Sequence, residues 1–197
     1  MAITTRRAAP ADAAELHELA ARTFGLATPA GTLQTDIDAF VAEHLALARF
    51  ADYLADPARI VLLAEDRGTA VGYAMLISDP ISDPELATLV TSAAGASAEG
   101  SPNAGAPDAR ASAATAIELS KFYVAAENHG SGVAATLMAA TLAAAAATGA
   151  RLCWLGVNQH NERAAKFYAK NGFEIIGAKR FLVGEVWHDD HVRARPL

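Results

Sequence analysis

The chain is poor in several things that would otherwise place it. It holds one cysteine, Cys153, in 197 residues, which excludes an internal disulfide and any zinc site built on cysteines. Charged residues make up 19% and lean acidic, with 16 Lys and Arg against 22 Asp and Glu for a net charge of −6. A nucleic-acid footprint needs the opposite lean, so no nucleic-acid partner is expected. No window carries 18 strongly apolar residues in a row, so no membrane span is expected. The charges of Arg6 and Arg7 are followed by Ala8-Ala9-Pro10-Ala11-Asp12 rather than an apolar stretch, so no signal peptide is expected either. These absences point to a reduced, cytoplasmic protein, a single domain over 1–197, long enough to bury a core without staples.

What the chain has in quantity is alanine, about a quarter of all residues. The hydrophobic fraction of 52% therefore overstates its apolar character, because burying a methyl group gains little. Alanine gathers at 93–116, among Ser, Gly and Pro, and at 134–147 in an unbroken helical stretch. The first reads as part of a long loop over 78–115 with a short helix at 86–90, mobile over 93–113. In the second, the small side chains are expected to let a helix pack closely on a sheet.

Periodicity gives the remaining elements. A short β-prone run at 3–6 leads past Asp12, an expected N-cap, into a helix ending at Gly25; a second helix is expected over 35–54. The β-rich runs at 60–64 and 71–77, around Glu65-Asp66-Arg67-Gly68, read as an antiparallel hairpin. After the loop come a strand at 117–124, the alanine helix from Gly130, a strand at 152–157, a helix at 161–170 closed by Asn171-Gly172, and two strands at 173–183 and 187–195. Strand–helix–strand in the second half requires a parallel pair, and the first-half hairpin is antiparallel. The expected fold class is α/β of the α+β type, a mixed sheet of about seven strands with helices on both faces.

Two stretches carry chemistry. In Val124-Ala125-Ala126-Glu127-Asn128-His129-Gly130-Ser131-Gly132-Val133-Ala134 a strand runs through a small-residue turn into a helix. Open amides at a helix start bind anions, a diphosphate being the natural occupant; an ordinary tight turn has the same composition. A P-loop is excluded because no Gly-Lys-Ser/Thr follows. A dinucleotide fingerprint lacks its acid after Val157-Asn158, and a nucleophile elbow lacks glycine where His129 stands. The second stretch is Asn161-Glu162-Arg163-Ala164-Ala165-Lys166-Phe167-Tyr168-Ala169-Lys170-Asn171-Gly172-Phe173.

Taken in order, the two stretches resemble the GNAT superfamily of N-acetyltransferases, in which Arg/Gln-x-x-Gly-x-Gly/Ala after a strand is followed by Asn-x-x-Ala-x-x-x-Tyr and Gly-Phe. The likeness covers 117–197; the first half matches in element order. It implies the GNAT fold, splayed between the strands at 117–124 and 151–157, with acetyl-CoA as co-substrate, an amine as acceptor and no metal. It also implies roles. Gly130, Ser131, Gly132, Val133, Ala134 and Ala135, with His129 before them, would cradle the pyrophosphate. The backbone at Phe122, Tyr123 and Val124 would meet the pantetheine arm, with the Val124 amide polarising the thioester carbonyl. Asn161 would bond the arm from the other side, and Tyr168 would protonate the departing sulfur. Glu118 is the candidate base, expected on the Val124 face by strand alternation. His129 departs from the family's Arg or Gln.

Other groups carry weaker signals. Glu43 and His44 on the second helix, and Trp187 in the last hairpin, are candidates for the acceptor side, while Cys153 and Trp154 read as core. His188-Asp189-Asp190-His191 reads as a solvated turn rather than a metal site. The stretches 117–124 and 180–185 are similar to the PaiA-like spermidine/spermine acetyltransferases, which adds a polyamine to the candidate acceptors; the end of the chain departs from that subgroup at Val192 and Arg193. Acetylation of a protein amine, a non-catalytic acyl-CoA-binding module and a homodimer are further readings the family admits.

Overall fold

The computed structural model describes residues 3–28, 31–99, 116–183 and 186–197. The expected hairpin forms the spine of its sheet. β2 (Arg59–Asp66) pairs antiparallel with β3 (Thr69–Ile77). Between them Arg67 and Gly68 take φ of 52° and 82°, the two positive values of a two-residue turn that follows strand twist. Seven of the nine β3 residues are buried, as a strand covered on both faces requires. β1 (Ile3–Arg7) flanks β2, and β4 (Ala116–Val124) flanks β3, both antiparallel. β5 (Leu152–Asn158) runs parallel to β4, and β6 (Glu174–Val183) and β7 (Val186–Pro196) complete the order β1-β2-β3-β4-β5-β7-β6. The mixed seven-stranded sheet is as expected.

Among the described residues six helices cover the two faces. On one, α5 (Val133–Ala147) and α6 (Glu162–Lys170) pack on a core of Leu62, Ala74, Leu119, Val124, Cys153 and Leu155, among others. On the other, α1 (Ala13–Phe24), α2 (Gln34–His44) and α3 (Leu47–Ala55) cover β2 and β3, while α4 (Pro84–Glu99) covers β5, β7 and β6. This leaves a seam on the second face, over the β4–β5 junction.

Five expectations are corrected. The helix expected over 35–54 is two helices, broken at Leu45-Ala46. Leu45 and Phe50 are both buried, at 1% and 0% exposure; on one continuous helix, five residues apart, they would point about 140° from each other. The break turns both inward, and the Leu45 carbonyl accepts a hydrogen bond from His17 Nδ1 at 2.7 Å. The expected loop contains the 16-residue α4 rather than a short helix. Asp83 Oδ1 accepts from the Glu85 and Leu86 amides at 2.9 and 3.1 Å, and Pro84 takes a first-turn place. Val90 and Ala94 are buried against Leu152, Trp154 and Val192; tertiary burial outweighs the Ser/Gly composition there, and the part of the loop at 100–115 lies outside the described residues.

The alanines of α5 mostly face outward, and its buried stripe is Val133, Leu137, Met138, Thr141 and Ala145. The close approach comes from the sheet side. A Cβ on Gly72 would lie 3.0 Å from the Tyr123 carbonyl and 3.5 Å from Leu137 Cδ2. Finally, 188–191 is no solvated turn. These residues lie within β7 and pair with both β5 and β6, and Asp190 is buried. Asp12 does precede α1, but its carboxylate accepts from the Ala9 amide and the Arg6 guanidinium instead of capping that helix.

Candidate active site

β4 and β5 are paired only at Ala116–Leu152, Ile117–Cys153 and Glu118–Trp154. Beyond that the two strands diverge, and the edge of β4 from Leu119 to Val124 faces open space instead of a neighbour. Backbone direction alternates along this edge. The Ala125 amide bonds the Val71 carbonyl at 2.9 Å, so the backbone groups of Val124 and Phe122 turn into the gap and those of Tyr123 turn toward β3. A pocket of about 310 Å³ fills the gap, reaching from Val124, Asn161 and Tyr168 to Glu118, Lys121 and Lys179.

One end of the gap is the turn into α5. Gly130 and Gly132 take φ of 81° and 94°, a region that favours glycine, and nothing lies within 4 Å of where a Cβ would stand on either. The amides of Val133, Ala134 and Ala135 precede the first helical acceptor, and Thr136 is the first to bond back, to the Gly132 carbonyl at 3.0 Å. The Ser131 amide already bonds the Asn128 carbonyl at 3.3 Å, and the His129 amide bonds that of Ala126 at 3.1 Å. Open space over two glycines in front of three unpartnered helix-start amides suits a diphosphate.

His129 does something the sequence did not suggest. Its Nε2 lies 3.0 Å from the Val124 carbonyl, and Arg163 Nη1 lies 3.0 Å from its Nδ1. A guanidinium only donates, so Nδ1 accepts and Nε2–H bonds the carbonyl. The ring ties the end of β4 to α6 and brings the Arg163 charge beside the turn, close to where a family Arg would have stood. Arg163 was missed although it sits two places after Asn161 in the quoted stretch.

α6 supplies two of the expected residues. Asn161 Oδ1 accepts from the Ala164 amide at 3.0 Å, capping the helix; its amide NH₂ remains to face the pocket it lines. Tyr168 sits among Phe122, Phe167 and Phe173, ring centroids 6.4, 5.7 and 5.8 Å away. Burial pushes its phenol well above the ordinary value, with Tyr123 and Cys153 adding to the shift, so it carries its proton at any working pH.

Glu118 is where the alternation argument fails. β4 carries a bulge: Lys121 pairs with Met75 and Leu119 with Leu76, leaving Ser120 unmatched. The extra residue reverses the faces beyond it. Ile117, Leu119, Phe122 and Val124 share the α5 side, whereas Glu118 lies with Lys121 and Tyr123 on the seam side. The carboxylate sits at the vertex of the splay. Burial raises its pKa, opposed by the charges of Lys179, Lys121 and Arg59.

Those cations are the second group the sequence did not reveal. Lys121 Nζ lies over the Tyr53 ring at 5.5 Å, and Lys179 Nζ over the Trp154 ring at 5.4 Å. Burial lowers the Lys121 pKa to about 8, Glu118 opposing and Arg59 assisting. Asp190 and His188, on β7, line the same pocket, and burial raises the Asp190 pKa against Lys179 and His188. Gathering these residues takes three strands and one bulge. Glu43 and His44 lie outside the pocket lining; Phe40 from the same helix is in it, stacked on Phe24 at 4.3 Å. Trp187 is 55% exposed under Arg180 in a separate groove against α4. Trp154 and Cys153 are core, and burial pushes the Cys153 thiol up to about 12. No group of three or more metal-ligating side chains occurs among the described residues, and no helix among them is long and apolar enough to cross a membrane.

Comparison with known proteins agrees with this geometry. The model of the acetyltransferase (GNAT) family matches residues 14–173. An uncharacterized N-acetyltransferase of Mycobacterium tuberculosis is 41% identical over 186 residues, 94% of this chain and 98% of that protein. Among solved structures, the PaiA N-acetyltransferase from Thermoplasma acidophilum in complex with coenzyme A aligns over the whole of both chains at 17% identity with a TM-score of 0.72. A putative acetyltransferase from Salmonella typhimurium with its cofactor acetyl-CoA aligns over 100% of this chain and 95% of that one, at 18% identity and a TM-score of 0.63. At these identities the two structures speak for the fold.

Proposed function

The chain belongs to the acetyltransferase (GNAT) family and is an N-acetyltransferase; from that premise we propose that it transfers the acetyl group of acetyl-CoA to a primary amine of a small molecule, by direct attack in a ternary complex. The observation that carries this reading is one continuous gap. It begins at His129 and Arg163, next to the turn that opens α5, runs along the unpaired edge of β4 beside Tyr168, and ends at Glu118. A space of about 310 Å³, shared between the two substrates, suits a small acceptor.

Acetyl-CoA supplies the acyl group, already activated as a thioester. The amides of Gly132 to Ala135 and the Arg163 guanidinium hold its diphosphate, and the Asn161 NH₂ bonds the pantetheine arm. We place the oxyanion donor at the Phe122 amide rather than at Val124. Both face the gap, but Val124 is six residues from Glu118, about 20 Å along an extended strand, and Phe122 is four, about 13 Å before the bulge shortens it. From the nearer position one bridging water lets Glu118 take the proton of the attacking ammonium. Its raised pKa brings the carboxylate closer to that task. Tyr168, whose ring lies against Phe122, donates its proton at the sulfur as the C–S bond opens and C–N closes.

A polyamine acceptor draws support from the net charge of −6 and from the likeness to a PaiA protein, but the two lysines of the pocket stand against it. The proposal is tested by thiol release from acetyl-CoA over a panel of amines that includes spermidine and peptides with free N-termini. Amine-stimulated release that needs Tyr168 supports it. Tight acetyl-CoA binding with no release for any amine would assign the chain to acyl-CoA binding instead.

A further inference from the structure

The acceptor end of the pocket holds charges of both signs. Glu118 and Lys121 flank the bulge of β4, Lys179 reaches in from β6, and Asp190 from β7. Arg59, the other cation near Lys121, is engaged by Asp56 and Asp79. No ion pair within 4 Å joins any of the four pocket charges to a described residue, and no side-chain hydrogen bond among the described residues satisfies the two ammonium groups. Both are instead held over aromatic faces, Tyr53 and Trp154.

Desolvated charges left unpaired are costly, and a fold can remove that cost by closing salt bridges. Here the framework keeps them apart. Gly156 on β5 is the plainest sign. A Cβ there would come 2.5 Å from Lys179 Cε, 2.9 Å from its Nζ and 3.3 Å from Asp190 Oδ2, so the bare glycine lets the lysine stem lie across β5 toward Glu118. On the wall facing these charges stand Phe24, Phe40 and Leu45.

We propose that the acceptor is a zwitterionic amine with an apolar side chain, its anionic group received by Lys121 and Lys179 and its ammonium by Glu118. The inference rests on the acetyltransferase reading above and names its substrate class. The lowered pKa of Lys121 and the raised pKa of Glu118 agree with it: burial outweighs the opposite charges already near each group, and a bound zwitterion would bring each a charge into direct contact. The chemical balance is that of acetyl transfer: the ammonium gives one proton through water to Glu118, which passes it to solvent; C–N forms as C–S breaks and Tyr168 protonates the sulfur; the second proton shed by the nitrogen restores the Tyr168 phenol through water. The anionic group takes no part beyond binding. A polyamine offers nothing for the lysines and would oppose both.

The experiment compares phenylalanine and methionine with their decarboxylated amines, with the phosphonic-acid analogue of phenylalanine and with spermidine, reading kcat/KM by thiol release at saturating acetyl-CoA. A charge-assisted hydrogen bond predicts that each amino acid exceeds its decarboxylated counterpart by about ten- to a hundredfold. The phosphonic acid shows whether the lysines favour a carboxylate or any anion. Lys121→Met, Lys179→Met and Gly156→Ala should each move the ratio toward one, through KM more than kcat. Circular dichroism confirms that each variant folds; should Lys121→Met not fold, the other two still decide. Preference for spermidine or a decarboxylated amine, or a ratio that survives every folded variant, overturns the proposal alone. If no amine releases thiol, the acetyltransferase reading fails. Calorimetric titration of the acetyl-CoA-loaded protein then judges the pocket: tighter binding of phenylalanine than of phenethylamine supports it, and equal or weaker binding overturns it.

Discussion

Asn161 has two tasks that one substitution series separates. Its Oδ1 caps α6 through the Ala164 amide at 3.0 Å, and its NH₂ is assigned to the pantetheine arm. An N-cap is worth about 1 kcal/mol. For 197 residues the unfolding entropy is about 0.4 kcal/mol per kelvin, so Asn161→Ala should lower the Tm of the ligand-free protein by about 2–3 °C. Asn161→Asp and Asn161→Ser keep a capping oxygen and should leave that Tm within about 1 °C. Acetyl-CoA at about 100 times its Kd stabilises by about 2.7 kcal/mol, a shift of about 6–7 °C. Losing the NH₂ bond, tenfold in Kd at about 1.4 kcal/mol, leaves about 1.4 kcal/mol and a shift of about 3–4 °C. Differential scanning fluorimetry with and without acetyl-CoA measures both. A full ligand shift in Asn161→Ser as well as Asn161→Asp would refute the pantetheine bond. An unchanged ligand-free Tm in Asn161→Ala would refute the cap.

Three shorter predictions follow from the same site. Tyr168→Phe should slow turnover about tenfold or more while acetyl-CoA affinity, measured by calorimetry, stays within about twofold; an unchanged rate removes Tyr168 as the proton donor. Glu118→Gln should abolish the acid limb of the kcat/KM profile. Because burial raises the folded-state pKa of Glu118, its contribution to stability is present below the ordinary carboxylate pKa and lost as pH rises through the raised one, so the Gln variant should have the higher Tm at pH 8 and no advantage at pH 4. Gly132→Val places a β-branched residue at φ of 94°; strain of about 1–2 kcal/mol should lower the Tm by about 2–5 °C, and acetyl-CoA binding should weaken markedly as the amide cradle shifts.

The half of the site proposed for acetyl-CoA was readable in the sequence because its parts are local. The helix-start amides come from consecutive residues, the glycines that permit the turn are its own members, and Asn161 and Tyr168 are seven apart on one short helix. Arg163 lay in the same readable stretch, but its meaning depends on His129, 34 positions away, whose ring ties it to the Val124 carbonyl. α4 was obscured for a related reason. Its composition suggests a loop, and its helix is stabilised by an apolar stripe that meets strands 60 to 100 residues further on.

By itself, then, the sequence determined the order of the strands, the mixed sheet and the glycine turn into α5, as consequences of short-range periodicity and backbone sterics, while the splay followed from the family resemblance. Only the tertiary structure decided the acceptor side. A single bulged residue, Ser120, turns Glu118 away from the Val124 side chain and toward Lys121, and a glycine on β5 admits a lysine from β6. Neither event has a local signature. A bulge is set by how two strands share a register, and a gap is filled by whichever side chain the neighbouring strand presents to it.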